Sequence, residues 1–218
     1  MCRSMCNKTG AVVISVGYRV SSEARFPGAH EDSYAALLHV HANANLYNID
    51  PERIAVAGDS AGGNLSIATC LMARDRNGPS VKFQCLMYPV ADLTTQHTEN
   101  DSVTGIDCPP MLINFIDAYA DSKDYENPYL SPVKANLKDL PPAFVLTCGL
   151  DTLQDEGIDL AQKLGAFGVP CEHVHAGGFD HSFISMGRSN IGSTIAAKYQ
   201  EATFMSLKLA LFEDTPNP

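Results

Sequence analysis

From Ala11 onward, short apolar runs alternate with longer stretches in which apolar residues recur at helical spacing. Ala11-Val12-Val13-Ile14-Ser15-Val16 is β-branched on both sides, the pattern of a strand buried on both faces of a parallel sheet. A helix is predicted over roughly 31–47, with Tyr34, Leu37, Leu38 and Ala42 on one side, followed by a turn at Asp50-Pro51-Glu52. Next come a strand over 54–57, a tight turn, and a helix carrying Leu65, Ala68 and Met72 that ends at Asn77-Gly78-Pro79. Strands are predicted over 83–88 and 143–148. Ile158, Ala161 and Leu164 mark a helix that stops at Gly168-Val169-Pro170, where glycine supplies the left-handed end and proline cannot continue the helix. Residues 171–175 form a last, more polar strand. A closing helix carries Ile195, Tyr199, Ala202, Met205, Leu209 and Phe212. Alternation of this kind defines an α/β fold with a mainly parallel sheet and helices on both faces.

The rhythm breaks over 91–140, where polar loops, Cys108-Pro109-Pro110 and one helical pattern with Met111, Leu112, Phe115 and Tyr119 replace the regular return helix. An insertion at a strand's end is where a cap over a site would sit, although the same residues can simply pack on the domain. The expected organisation is thus one domain, 1–218, with 91–140 as a cap-like insertion; the length suits one hydrophobic core better than two.

Fifteen basic against twenty-five acidic residues leave a formal charge of −10. Such a surface repels nucleic-acid backbones and anionic membranes, so the expected partner is a small neutral molecule. The longest apolar run falls far short of the ~20 residues that span a bilayer, and the N-terminus lacks the cleavage pattern of a secretory signal. Seven cysteines with no Cys-x-x-Cys pair read as reduced thiols of a cytoplasmic protein. Cys2 and Cys6 lie at what reads as a mobile terminus.

The chemistry concentrates at Gly58-Asp59-Ser60-Ala61-Gly62-Gly63, directly after the strand over 54–57 and opening a helix. This is Gly-x-Ser-x-Gly in its strand-turn-helix setting, a nucleophile elbow, with Gly58 and Gly62 expected to let strand and helix approach closely. A phosphate-binding turn is the competing reading, but no Lys-Ser/Thr closes the loop and no Gly-x-Gly-x-x-Gly is present. Neither a cofactor nor a metal is therefore expected. A serine hydroxyl needs a histidine base and an acid to orient it. Asp151 lies just past the strand over 143–148. His181 lies in the glycine-containing loop 177–181, and Ser60, Asp151, His181 is the chain order of α/β-hydrolase triads. Asp92, past the strand over 83–88, is a second candidate for the acid. A capping box of Thr152 and Asp155 would leave Asp151 free, and Asp155 and Glu156 would serve the helix dipole. His173 and His175 alternate along a strand, and His30, His39 and His41 lie in or near the first helix, all as surface or packing residues.

Val13-Ile14-Ser15-Val16-Gly17-Tyr18-Arg19, Phe26-Pro27, Glu31-Asp32, Asp50-Pro51-Glu52-Arg53-Ile54, the Gly58–Gly63 elbow, Ser131-Pro132, Leu140-Pro141-Pro142, Asp151-Thr152-Leu153 with Asp155-Glu156-Gly157, and His181-Ser182-Phe183 occur in this order. Together they make the chain resemble the hormone-sensitive-lipase-like esterases of the α/β-hydrolase fold. That resemblance implies a serine carboxylesterase of short acyl esters with Ser60 as nucleophile, His181 as base, Asp151 as acid and the Ala61 amide in the oxyanion hole. Gly17, Thr152 and Ser182 stand where the family usually has Asp, Pro and Gly. Family members also carry a His-Gly-Gly-Gly segment ahead of the strand that 11–16 resembles, and this chain begins too late to contain it. The expectation is an N-terminally truncated member with weakened oxyanion stabilisation and exposed strand edges that favour self-association or a homodimer. The alternatives are a non-catalytic ligand-binding module, as in the gibberellin receptors, and a pseudoenzyme. His181 favours the enzyme, since those receptors lack the catalytic histidine.

Overall fold

In the computed structural model, which describes residues 1–94, 110–185 and 194–213, one parallel sheet carries four strands in the order β1-β2-β3-β4. They are β1 (Ala55–Asp59), β2 (Phe83–Met87), β3 (Ala143–Leu150) and β4 (Cys171–Asp180). Asp59 lies opposite Met87 and Met87 opposite Leu146, so the C-terminal ends of neighbouring strands meet at one edge of the sheet. Loops leaving that edge are where such a sheet gathers a site.

The described helices are α1 (Cys2–Thr9), α2 (Gly28–Ala42), α3 (Ala44–Tyr47), α4 (Ala61–Asp75), α5 (Pro110–Tyr119), α6 (Gln154–Ala166) and α7 (Thr194–Phe212). Strand alternation sorts the core into two layers. On one face Leu86 and Val145 meet Ile67 and Leu71 of α4 and Leu160 and Leu164 of α6. On the other, Cys85, Met87, Phe144 and Leu146 meet Phe204, Leu207 and Leu211 of α7, with Met5 of α1 beside them. Each fully buried leucine contributes roughly 1.5–3 kcal/mol through removal from water. The polar insertion adds a smaller cluster of Leu93, Ile116, Ala120, Tyr125 and Leu130. Met111 and Leu112 lie outside the described side chains, and Cys108 outside the described residues.

Several sequence expectations need correction. Residues 11–16 pair with no strand among the described residues. Ala11 and Val13 pack partly against the α7-side core, while Val12, Ile14 and Val16 are exposed. Alternation reveals which residues can be buried, but a ladder also needs a neighbour, and 11–16 has none among the described residues. The supposedly mobile terminus is helical: Met5 and Thr9 of α1 are buried, and Gly10 ends the helix at φ 78°. The single helix over 31–47 is two, broken at Asn43, whose side-chain amide donates to the His39 carbonyl. Asparagine competes for backbone partners in this way. The last strand runs to Asp180, so 177–180 is strand and His181 is the first residue beyond it. Gly168, at φ 79°, terminates α6 with Val169 N–H donating to the Leu164 carbonyl.

Candidate active site

Ser60 is the N-cap of α4, with φ 57° and ψ −119°. A non-glycine residue at positive φ is strained, and such strain persists only where the surroundings impose it. Here Ser60 N–H donates to the Met87 carbonyl at 2.9 Å, and the Ser60 carbonyl accepts from Gly63 and Asn64 of the helix. Gly58 is required: a Cβ there would lie 2.1 Å from the Gly62 carbonyl oxygen. Gly62 is different, because a Cβ on it would meet nothing within 4 Å. The expectation that both glycines relieve side-chain clashes is therefore half wrong. Gly62 contributes the backbone that Gly58 must approach, and Gly63 is the residue pressed against Pro89.

Serine at an N-cap ordinarily accepts a bond from an amide of the first turn. Ser60 makes no such cap. Its Oγ lies 2.8 Å from His181 Nε2, and His181 Nδ1 lies 2.7 Å from Asp151 Oδ2. A carboxylate only accepts, so Nδ1 carries the proton and the Nε2 lone pair accepts from the Ser60 hydroxyl. The Asp151 side chain is almost fully buried, and that of His181 is about one third exposed. Asp151 is not freed by a capping box. Its Oδ1 accepts from Leu153 N–H at 3.0 Å, and α6 starts without a side-chain cap. One carboxylate thus shapes the turn after β3 and holds the histidine. A Cβ on Gly149 would fall 2.1 Å from the Gly177 carbonyl oxygen, and the β3–β4 register shifts at Cys148/Leu150. This close, irregular approach joins the strand ends that carry Asp151 and His181.

Asp92 goes elsewhere. Its Oδ1 accepts from Thr94 N–H at 2.9 Å, and its Oδ2 lies 3.5 Å from Lys134 Nζ. Ala61 opens α4, where first-turn amides have no partner within the helix and the dipole is positive. Glu156 does more than complement a dipole. It is buried, and its Oε1 accepts from Ala91 N–H at 2.6 Å, tying α6 to the start of the insertion.

Two further groups escaped the sequence reading. His30 is buried, with Nε2 facing two acceptors, Asn64 Oδ1 at 3.2 Å and the Tyr129 carbonyl at 3.1 Å, and Nδ1 2.7 Å from Tyr119 Oη. Asn64 in turn donates to the Val90 and Leu130 carbonyls. Burial lowers the His30 pKa to about 4, which keeps it neutral and linking α2, the elbow helix and the insertion. Tyr88 is the other, just after β2 with φ 38°, its ring edge-on to His181 with centroids 5.1 Å apart. The only signal for either was residue type inside an apolar pattern, which does not distinguish a packed ring from a hydrogen-bonded one. His173 and His175 share the Thr147 hydroxyl, each ring nitrogen 2.9 Å from it. Among the described residues, no three His, Cys, Asp or Glu side chains form a group that could hold a metal ion.

The strained serine turn, the ring between hydroxyl and carboxylate, and the parallel sheet beneath them define a class, and comparison with known proteins agrees. The family model for the alpha/beta hydrolase fold matches residues 1–185. The chain belongs to this family. It is 38% identical to Esterase LipI of Mycobacterium tuberculosis over 84% of this chain and 59% of that one. It is 40% identical to Carboxylesterase NlhH of the same species, over 80% of this chain and 57% of the relative. The crystal structure of a thermostable esterase from Pseudomonas putida superposes with a TM-score of 0.87 at 32% identity, covering 98% of this chain and 68% of that one. An esterase from Pyrobaculum calidifontis gives a TM-score of 0.82 at 37% identity, over 94% and 70% of the two chains. The chain therefore spans somewhat over half the length of these curated relatives.

Proposed function

We propose that this chain is a serine carboxylesterase acting on short, neutral acyl esters. The observation that carries the reading is the Ser60–His181–Asp151 chain, with links of 2.8 and 2.7 Å, at a strained elbow. In this reading Ser60 Oγ attacks the acyl carbon while His181 Nε2 takes its proton. Asp151 keeps the proton on Nδ1 and stabilises the imidazolium. The tetrahedral oxyanion sits against the Ala61 amide and the positive end of α4. His181 returns the proton to the departing alkoxide, leaving an acyl-Ser60. Water, deprotonated by His181, attacks that ester, and collapse releases the acid and restores Ser60. Neutral substrates fit a chain with a charge of −10.

Three finer points belong to the same reading. The insertion 91–140 acts as a cap, supported by its ties to α4 and α6 and its own apolar cluster. Self-association as a homodimer is supported by exposed Val12, Ile14 and Val16 and, among the described residues, an unpaired outer edge of β1. A cytoplasmic location rests on cysteine usage. Among the described residues no helix is long and apolar enough to cross a membrane.

The test is hydrolysis of p-nitrophenyl acetate together with covalent labelling by a fluorophosphonate. The expected result is labelling at Ser60, absent in Ser60→Ala and in His181→Ala, with measurable turnover. Folded protein that neither labels nor hydrolyses would point to a ligand-binding module instead.

A further inference from the structure

Asp59, the variable residue of the elbow motif, sits beside the serine but not in the chain just described. Its Oδ2 accepts from Ser185 Oγ at 2.8 Å. Ser185 Oγ also lies 3.3 Å from Tyr88 Oη. The Ser185 hydroxyl has two acceptors, Asp59 Oδ2 at 2.8 Å and the longer Ser182 carbonyl at 3.3 Å; with its one proton on the shorter bond to the carboxylate, the tyrosine proton points to Ser185. The direction Tyr88 to Ser185 to Asp59 follows. Tyr88 is almost completely buried, and burial drives its phenol pKa far up, so it remains a donor throughout the working range.

These three residues enclose the His181 loop. Asp59 precedes Ser60 on β1, Tyr88 follows β2, and Ser185 lies four positions beyond His181. The loop is a run of turns with Ser182 at φ 64°, a conformation that needs outside support. Asp151 holds the histidine ring from one end, and Tyr88 supports it edge-on. Nothing in that pair fixes the distance between the loop and the elbow, on which the contact between Ser60 Oγ and Nε2 depends. Ser185 bridging to Asp59 does.

We propose that Tyr88, Ser185 and Asp59 form a latch that clamps the His181 loop onto the nucleophile elbow, making all three positioning residues for the base. The proposal rests on the esterase reading above for its kinetic consequences, but the latch itself is a geometric assignment. Misplacing a reacting group by about 1 Å can cost around 10²-fold. Ser185 is exposed and water can partly replace its bonds, so the expected loss is smaller.

The experiment compares Tyr88→Phe, Ser185→Ala, Asp59→Asn and the Tyr88→Phe/Ser185→Ala pair in the full chain. Ser206→Ala is the control, since it removes an exposed serine–carboxylate bond, to Glu172, on the α7 side. Expected are a kcat lowered about five- to twentyfold, a KM within about twofold, and a double variant no worse than the poorer single one, because the residues act as a unit. Ser185→Thr, which keeps the hydroxyl, should restore most of the rate. In parallel, the His181 Nδ1–H proton, shifted downfield by its bond to Asp151, should broaden or move in the three single variants and not in Ser206→Ala. Unchanged kcat with an unmoved proton signal would overturn the latch, as would a raised KM at constant kcat, which would make it part of substrate binding. If the wild-type chain neither hydrolyses nor labels, the esterase reading fails, and the proton signal still decides the latch by moving or staying.

Discussion

Ser60 departs from what a serine at a helix start ordinarily does: its hydroxyl leaves the first-turn amides unserved and turns to His181. Of the two candidate acids, one lies against that histidine and supports its assignment as the orienting group. Asp151 touches Nδ1, whereas Asp92 is engaged by Thr94 and Lys134. Asp151→Asn should keep the turn, since an amide oxygen can still accept from Leu153, but it favours the wrong imidazole tautomer. The expected loss in kcat is about 10⁴-fold with the fold intact. Asp92→Asn should change kcat less than about threefold while lowering thermal stability slightly. Steady-state rates and melting curves of the two variants separate these outcomes, and equal losses would assign the acid wrongly.

At the scale of elements, the strand-to-helix turn and the helix junction behind it set the tolerances. A Cβ at Gly58 would overlap the Gly62 carbonyl, and the backbone there cannot yield without displacing Ser60. Gly58→Ala should cost more than the ~1–3 kcal/mol typical of overpacking. Gly62→Ala meets open space and should leave stability equal or up to about 1 kcal/mol higher, because alanine favours a helix. Urea denaturation of the two variants tests the contrast. His30 gives the junction a pH dependence. Its folded pKa is lowered, to about 4, by burial. The unfolded chain therefore binds the proton first as pH falls. The His30 contribution is complete above the unfolded pKa near 6.5 and is lost progressively as pH drops towards 4, on the order of 3 kcal/mol in all. Denaturation curves between pH 7 and 4 should show a slope that diminishes in His30→Gln, and an identical slope in that variant would remove the assignment.

For the molecule as a whole, the outer edge of β1 and the 11–16 segment, both unpaired among the described residues, are the features that offer apolar backbone to another molecule. Val12 is 55% exposed and Ile14 39%. Their burial between molecules would be opposed by a charge of −10 on each chain. Self-association should accordingly strengthen with salt, which screens the repulsion, and weaken when Val12 and Ile14 are both changed to Lys. Light scattering at low and high ionic strength is the measurement. A monomer at every salt concentration would contradict the proposed homodimer.

Local pattern carried much of this protein. Alternating strands and helices, the elbow glycines, Gly168 with Pro170, and the order Ser60, Asp151, His181 are short-range facts that a linear chain displays directly. Side-chain periodicity reports which residues can be buried, and turn chemistry reports where the backbone must reverse. Partner choice lies beyond that information. Residues 11–16 have the pattern of a buried strand but gain a ladder only if a neighbouring strand occupies the adjacent position, and here none does among the described residues. Whether Asp151 or Asp92 met His181 depended on which strand end the β3–β4 approach at Gly149 and Gly177 brought beside the loop. By pattern alone, Glu156 reads as a helix-dipole carboxylate, His30 as a surface or packed ring, and Tyr88 only as the end of a strand. Only the tertiary structure revealed them as buried junctions, because the partners that satisfy their polar atoms come from segments far apart in the chain.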